Sequence, residues 1–241
     1  MQTFRSSSEE VQWQEQVARS VDYFDGICKI AAEYSLRIVK RHLVGKRLLE
    51  VGPADGHMTR GLVKDFDITL VEPSETLCHK LRQCFPAAKV VPSLVEDYSP
   101  SERFESILLC HVLDHVRDPE EVVRMAGSWL LPGGKIIAIA PNSESLHRQA
   151  AVRMGLLPAV NAFSERDQTQ GKRRIFNREE FRQLFSNAGL EIEFFGGYWL
   201  KPISNRQIEQ QWTPEMIDAF FALGESYPEI AAEMFLVARV K

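Results

Sequence analysis

The chain has 241 residues, of which 44% are hydrophobic and 26% charged, a composition typical of a folded protein with a sizeable core and not of a disordered segment. Its formal net charge of −4 gives no positive field that would attract nucleic acid or an anionic membrane surface. The first ten residues contain no apolar stretch of signal-peptide length, and no apolar run approaches ~20 residues, so we expect a cytoplasmic protein without a membrane partner.

Apolar side chains recur at helical spacing between residues 11 and 43, with Val21 and Phe24 among them. This pattern predicts helices ahead of the main fold. We therefore assign residues 1–44 to an N-terminal helical extension and residues 45–241 to the main domain.

A strand, a turn and a helix are predicted next. Residues 46–51 form an apolar run that contains Glu50 near its end and is followed at once by Gly52 and Gly56, with a helical pattern over residues 58–64. Glycines let the backbone approach a ligand without a Cβ in the way, and the free N–H groups of a new helix favour an anionic group. Because a carboxylate at the end of a core strand must pair or face a polar ligand, we predict a ligand site here.

Strands and helices alternate after this junction, and Ser74 and Asp118 are suitable N-cap residues for two of the helices. Five such strands predict a parallel, doubly wound sheet with right-handed crossovers. The four further strands of this part cover residues 67–72, 89–92, 105–110 and 135–140.

The alternation changes after Pro141. Residues 156–174 show no clear period and are long for a structureless connection, which is typical of a lid or binding loop, so we assign residues 143–174 to an insertion that covers an acceptor pocket. The remaining predicted elements are helices at 177–188 and 213–223 and strands at 190–195 and 232–240.

The four cysteines show no C-x-x-C spacing and lie within apolar or helical stretches. We expect buried, reduced thiols and neither a disulfide nor a metal site. The cysteines are Cys28, Cys78, Cys84 and Cys110.

Two predicted strands end in carboxylates, Glu50 and Glu72, which are 22 residues apart (72 − 50), close to the ~20-residue gap that places the ribose-binding acid in a Rossmann site. Glu72 can accept hydrogen bonds from both hydroxyls of a ribose. The glycine pattern lacks the third glycine of the G-x-G-x-x-G fingerprint, and Glu50 stands where that motif is apolar. A pyrophosphate is poorly matched to this acid, whereas a ligand with an ammonium and a sulfonium is well matched.

These stretches resemble the motifs of class I S-adenosylmethionine-dependent methyltransferases. Leu-Leu-Glu-Val-Gly-Pro-Ala-Asp-Gly-His at residues 48–57 resembles the first motif, and Leu-Val-Glu-Pro-Ser at residues 70–74 the second. Residues 94–97 resemble the adenine-binding segment, residues 104–116 the strand-four motif and residues 130–134 the turn before strand five. The resemblance implies an α/β fold: a doubly wound, mostly parallel seven-stranded sheet of the Rossmann-like methyltransferase type.

The segments 141–148 and 227–237 also resemble a bacterial subgroup that acts on small molecules. In that subgroup a histidine usually stands where this chain has Lys172, so no acceptor-site role can be transferred from that histidine.

Carried over to this chain, the resemblance implies that Gly52, Ala54 and Gly56 line the methionine end of the cofactor, with Glu50 ordering that loop or facing the ammonium. Glu72 then holds the ribose. Ala54 replaces the usual second glycine of the motif.

The resemblance further implies that Val95 offers its backbone N–H to adenine and Glu96 accepts from the adenine amino group. Leu94 stands where many relatives carry an acid, so adenine recognition relies more on backbone and on Glu96. Cys110 and His111 follow strand four beside the sulfonium. The predicted cofactor-binding residues are Glu50, Gly52, Ala54, Gly56, Glu72, Pro73, Val95, Glu96, Cys110 and His111.

His111 and His147 are the candidate catalytic residues, because the resemblance places both near the cofactor mouth; polar packing is the alternative role for each. The run 172–174 is either a solvated basic face or a group that orients an anionic acceptor. The side chains of the aromatic stretch 194–199 are expected to belong to a strand and to the core. The alternative is that Tyr198 and Trp199, at the end of this stretch, form a wall of the acceptor pocket.

The predicted reaction is methyl transfer from S-adenosyl-L-methionine to a small-molecule acceptor, with a hydroxyl as one candidate nucleophile. Two alternatives stay open. A nicotinamide-dependent oxidoreductase needs the dinucleotide fingerprint that this chain lacks, and a non-catalytic S-adenosylmethionine-binding protein would have no acceptor pocket. The sequence specifies neither the acceptor nor the oligomeric state.

Overall fold

The computed structural model describes residues 6–20 and 26–241, so Val21 and Phe24 of the predicted N-terminal helices lie outside the described residues. Within the described part, one sheet contains seven strands. They are β1 (Arg47–Val51), β2 (Asp67–Glu72), β3 (Lys89–Pro92), β4 (Phe104–Cys110), β5 (Leu130–Pro141), β6 (Leu190–Tyr198) and β7 (Glu233–Val240).

The strand order is β3-β2-β1-β4-β5-β7-β6. Strands β1 to β5 are parallel, and β7 pairs antiparallel with both β5 and β6. The predicted doubly wound, mostly parallel seven-stranded sheet is therefore confirmed. The parallel strands β1, β2, β4 and β5 are largely buried on both faces, as their apolar runs indicate, whereas the edge strand β3 is partly exposed.

Helices cover both faces of the sheet, and several start at the predicted caps. The side chains of Ser74, Asp118 and Asn177 each accept a hydrogen bond from the backbone N–H three residues later. The helices are α1 (Ser7–Ser20), α2 (Ile27–Lys40), α3 (His57–Arg60), α4 (Glu75–Cys84), α5 (Pro119–Ser128), α6 (Leu146–Arg153), α7 (Glu165–Thr169), α8 (Arg178–Asn187), α9 (Asn205–Gln211) and α10 (Pro214–Ser226).

Some boundaries differ from the sequence prediction. Helix α3 has only four residues, and from Gly61 onward the chain continues as a series of turns. Strand β5 already begins at Leu130, and the predicted turn over residues 130–134 is an irregularity inside this strand, where the pairing shifts from Leu130 to Lys135. Helix α9 was not predicted, because its sequence carries a single apolar side chain, Ile208, and shows no amphipathic period.

Strand β6 runs to Tyr198 and does not end at residue 195. The additional residues include two glycines, Gly196 and Gly197, which pair with β7. A Cβ at Gly197 would lie 2.9 Å from the backbone Cα of Pro228, so a glycine is needed there for close packing.

The core has one cluster on each side of the sheet. Phe181 and Phe185 of α8 belong to one cluster. Ile27, Tyr34 and Ile38 of α2 belong to the other, where they pack with residues of α10 and of the sheet. Helix α2 is thus an integral part of the sheet's cover, while the assignment of residues 1–44 as a separate extension stays a prediction.

Across residues 6–20 and 26–241, no helix has both the length and the apolar character that a membrane span requires. All four cysteines are free thiols. Only Cys78 is buried, while Cys28 and Cys110 are partly buried and Cys84 is exposed at the end of α4, so the expectation of four buried thiols is wrong for Cys84 and only partly met at Cys28 and Cys110.

Candidate functional site

The loop after β1 is built from residues in the left-handed backbone region. The φ angles are +62° at Gly52, +51° at Ala54 and +80° at Gly56. A Cβ at Gly56 would lie 2.3 Å from Cε2 of Phe85, so this position requires glycine. Ala54 adopts a conformation that L-residues rarely take, which places backbone strain in this loop.

Two buried carboxylates stand beside this loop. Glu50 accepts a hydrogen bond from the Thr59 hydroxyl at 2.7 Å. Glu72 accepts from the backbone N–H of Ser74 at 3.0 Å and from that of Ala54 at 3.3 Å, so it ties the loop to the end of β2. Burial raises the pKa of each acid to about 7, and these hydrogen bonds oppose the rise only in part. A ligand that donates hydrogen bonds or carries positive charge would favour the ionised forms.

Helix α1 supports the neighbouring start of α4. Glu15 accepts a hydrogen bond from the Ser74 hydroxyl at 2.6 Å and another from the Thr76 hydroxyl. Hydrogen bonds from Ser74 and Thr76 lower the pKa of Glu15 to about 2, so this carboxylate is ionised. No local sequence pattern predicts this contact, because it joins two helices far apart in the chain.

The residues after β4 form the next wall. His111 has a φ of +55°, and its backbone N–H donates to the carbonyl of Ile139 at 2.8 Å. Its Nδ1 lies 3.9 Å from Oε2 of Glu233, the first residue of β7. Burial raises the pKa of the neighbouring Cys110 thiol, which therefore stays protonated.

Glu96 lies on a short 3₁₀ turn over Val95–Asp97. Its Oε1 accepts a hydrogen bond from the backbone N–H of Arg117 at 3.0 Å. Val95 is buried beside it. Both residues face the same cavity as Glu50 and Glu72.

This cavity has a volume of about 710 Å³, within the range of small-molecule sites. Every predicted cofactor-binding residue except Gly56 lines it. We call the part lined by residues 50–116 the first compartment. The second compartment is lined by α2, α6, α7, the start of α9, the end of β6 and Glu233.

The insertion over residues 143–174 lines the second compartment, on the same sheet edge as Gly52 and Glu72. Arg148 holds its fold: the guanidinium donates to the carbonyl of Val160 at 2.6 Å and lies 3.3 Å from the Asp167 carboxylate. The insertion therefore has its own hydrogen-bonded structure.

His147 lines the second compartment from α6, and its Nδ1 is buried without a hydrogen-bond partner among the described residues. Burial lowers its pKa to about 2, and the charges of Lys201 and Arg148 act in the same direction. The imidazole is therefore neutral at physiological pH and is a weak base.

A charged cluster lies where the two compartments meet. Asp114 is fully buried, and neither of its carboxylate oxygens has a hydrogen-bond partner among the described residues. Nζ of Lys172 lies 3.5 Å from this carboxylate and 3.3 Å from that of Asp167. Burial acts to raise the pKa of Asp114, but the charges of His115 and Lys172 outweigh it and lower the pKa.

Arg173 and Arg174 are neither solvated nor available to a ligand. Arg173 donates from Nε to the carbonyl of His115 at 2.8 Å. Arg174 donates to the carbonyls of Leu113 at 2.9 Å and Val116 at 2.6 Å. The two guanidinium groups clamp the end of the insertion onto the loop after β4.

We expect Arg174→Ala to lower the free energy of unfolding by about 1–3 kcal/mol or more, because it leaves backbone acceptors without their partner. For a chain of this size that corresponds to a loss of several degrees in Tm. Arg178→Ala, which removes an exposed pair with Glu144, is the matched control. Calorimetric melting that affected both variants equally would show that Arg174 is no clamp.

Glu233 and Lys201 were missed by the sequence reasoning. Glu233 has one carboxylate oxygen without a hydrogen-bond partner in the described part of the chain, and burial raises its pKa against the charges of nearby histidine and lysines. A signal similar to that of Glu50 was present here, since both acids flank an apolar strand. Glu50 stands near the last residue of its strand, whereas Glu233 is the first residue of β7. Lys201 had no such signal, because its place depends on the turn after β6.

Among the described residues, no group of three or more His, Cys, Asp or Glu side chains is arranged to hold a metal ion.

A family model described as a methyltransferase domain matches residues 22–193. An uncharacterized protein of Mycobacterium tuberculosis is 30% identical over 123 residues, which are 47% of this chain and 42% of that relative, so the chain matches less than half of that relative's length. The ubiquinone biosynthesis O-methyltransferase of Marinobacter nauticus is 25% identical over 171 residues, covering 67% of this chain and 71% of the relative.

Solved structures show the same fold. That of a possible histamine N-methyltransferase from Thermotoga maritima superimposes with a TM-score of 0.62 and 19% sequence identity, over 97% of this chain and 96% of the other. At this identity the similarity concerns the architecture of the chain.

Proposed function

Because the chain belongs to the methyltransferase-domain family, we propose that it transfers a methyl group from S-adenosyl-L-methionine to a hydroxyl of a small-molecule acceptor. The observation that carries the proposal is the continuous cavity of about 710 Å³, which joins the predicted cofactor residues to a second, polar compartment. The name of the Marinobacter relative, an O-methyltransferase, supports a hydroxyl as the methylated group.

The first compartment fits S-adenosyl-L-methionine. Glu50 and Glu72 are buried acids that gain from a ligand with a positive charge and hydroxyl donors. Ala54 and the flanking glycines keep the loop close to the cavity. Glu72 holds the ribose, and Val95 and Glu96 face the adenine. When bound, the cofactor supplies a methyl group that its sulfonium already activates.

In this proposal His111 takes the proton of the acceptor hydroxyl. The residue lines the cavity, and its Nδ1 lies 3.9 Å from the Glu233 carboxylate, close enough for a charge contact that favours one orientation of the imidazole. His147, whose pKa of about 2 makes it a weak base, serves as a hydrogen-bonding wall for the acceptor.

The alternatives fit less well. A nicotinamide dinucleotide needs cationic or N–H groups around its pyrophosphate, yet no lysine or arginine among residues 50–116 lines the first compartment. A binding protein without catalysis has no need for the second compartment, which Glu233 lines and which adjoins Asp114. Oxygens of both acids are buried without hydrogen-bond partners among the described residues.

The test is isothermal calorimetry of the purified chain with S-adenosylhomocysteine and with NAD, followed by incubation with S-adenosyl-L-methionine in cell extract. We expect saturable binding of S-adenosylhomocysteine, no heat with NAD, and the gain of one methyl in a small molecule of the extract. Binding of NAD without binding of S-adenosylhomocysteine would overturn the proposal.

A further inference from the structure

Three basic side chains line the second compartment without an ion pair to another residue that the structure describes: the exposed Arg166 of α7 and Arg206 of α9, and the partly buried Lys201 after β6. Two other cations of the site are engaged, since Lys172 and Arg148 both contact Asp167. The second compartment therefore carries positive charge that the protein does not neutralise by direct contact.

Neutral groups hold two of these cations in place. Lys201 donates from Nζ to the side-chain oxygen of Asn205 at 2.6 Å, and its ammonium lies 4.9 Å from the centre of the Trp199 ring. Arg166 donates to the sulfur of Cys28 at 2.8 Å, which is a weak acceptor. An ammonium has three N–H donors and a guanidinium five, so both groups keep donors for a ligand.

The environment of Lys201 also favours an anion. Burial lowers its pKa to about 8, and the charges of Arg166 and Arg148 act in the same direction, while Glu233 opposes them. A bound anion would restore the ordinary preference of the ammonium for its proton. The wall of α2 opposite consists of small side chains, Ala31, Ala32 and Ser35, which leave room for a ligand.

We propose that the acceptor carries an anionic group, a carboxylate or a phosphate, which Lys201 and Arg166 bind in the second compartment. This inference rests on the proposed function and names the class of its substrate: a hydroxylated small-molecule anion. The unpartnered oxygens of Asp114 and Glu233 accept from its hydroxyl groups, and the hydroxyl to be methylated lies toward His111. The basic run at 172–174, by contrast, is occupied by contacts within the chain.

The test uses two simple probes, inorganic phosphate and benzoate, titrated calorimetrically into the protein saturated with S-adenosylhomocysteine, with chloride at equal ionic strength as reference. We expect saturable binding of at least one probe, and the probe that binds tells which anion the site takes. Lys201→Gln and Arg166→Gln should each weaken it by about ten- to a hundredfold, the effect of losing one charged hydrogen bond. Arg153→Gln removes an exposed charge on α6 outside the cavity and should change nothing.

The pH dependence gives a second readout. Affinity should fall as the pH rises through about 8 and Lys201 loses its proton, and this fall should be absent in Lys201→Gln. The charged and titratable groups that face Lys201 are Glu233 of β7, Cys28 of α2, Arg166 of α7, and His147 and Arg148 of α6.

Failure of both probes to bind above the chloride reference, or equal binding by Lys201→Gln, Arg166→Gln and Arg153→Gln, would overturn the inference. Should Lys201→Gln fail to fold, Arg166→Gln decides the question, because Arg166 is exposed. If the unaltered protein does not bind S-adenosylhomocysteine, that result contradicts the proposed function and not this inference. Titration of the two probes into the protein without S-adenosylhomocysteine then still tests the anion site.

Discussion

Glu72→Ala should weaken the binding of S-adenosylhomocysteine by roughly a hundredfold or more while the fold stays intact. Hydrogen bonds to a charged acceptor contribute about 1.5–3 kcal/mol each, and a ribose offers two hydroxyls to this carboxylate. The variant also removes the acceptor that holds the N–H groups of Ala54 and Ser74, so the loop after β1 loses its tie to β2. Calorimetry measures the dissociation constant, and circular dichroism checks the fold.

Glu75→Ala is the matched control, since it removes an exposed carboxylate three residues further along that ion-pairs with Arg82. It should leave the dissociation constant unchanged. An unaltered constant in Glu72→Ala as well would show that Glu72 does not contact the ribose.

The pH dependence of stability gives an independent check on Glu72. Its pKa is raised from 4.5 to about 7, so the native state holds the proton more tightly than the unfolded chain does. This group therefore makes the cofactor-free protein less stable as the pH rises from about 4.5 to about 7, with no further change above. In Glu72→Gln, the free energy of unfolding should fall less steeply over this pH range. Part of the fall should remain, because the pKa of Glu50 is also raised to about 7.

His111→Ala should reduce kcat by about 10²–10⁴-fold, the usual contribution of a general base, with little change in the affinity for S-adenosylhomocysteine. The reason is its position after β4, beside Glu233 and between the two compartments. His79→Ala, which alters an exposed histidine of α4 outside the cavity, is the control.

Glu233→Gln keeps the shape of the side chain that orients His111 and removes its charge. Its kcat should fall less than that of His111→Ala, because the imidazole that takes the proton is still present. A full rate in His111→Ala would assign the base elsewhere.

The sheet and the first compartment could be predicted from the sequence because their signals are local. A strand that ends in an acid and runs into glycines is a short pattern, and the parallel crossover rule brings such strand ends to one edge. The edge where Glu50 and Glu72 meet therefore follows from two stretches of about ten residues each.

The second compartment could not be predicted in this way. Glu233 reaches His111 only because β7 lies antiparallel between β5 and β6. Arg174 finds its carbonyl partners about sixty residues earlier in the chain, at Leu113 and Val116, which no local pattern reveals. For the same reason, no local pattern shows that the basic run at 172–174 holds two segments together when such runs are usually solvated. The cations without an ion pair, Lys201 and Arg166, lie elsewhere in the chain.

The strained backbone positions also could not be predicted from the sequence. The three described non-glycine residues with positive φ are Ala54, His111 and Trp199, and all three line the cavity. They end or follow strands β1, β4 and β6, where tertiary packing imposes the conformation. Only Ala54 carried a hint, because it stands where the family motif has glycine.

The division of the cavity also separates the site along the chain. The first compartment comes from residues 50–116, whereas Lys201 and Glu233 lie beyond residue 193, where the match to the family model ends. The other walls of the second compartment, from α2, α6 and α7, lie within that match. Under the proposed function, substitutions at Lys201 or Glu233 would therefore change the acceptor side of the cavity without altering a residue of the first compartment.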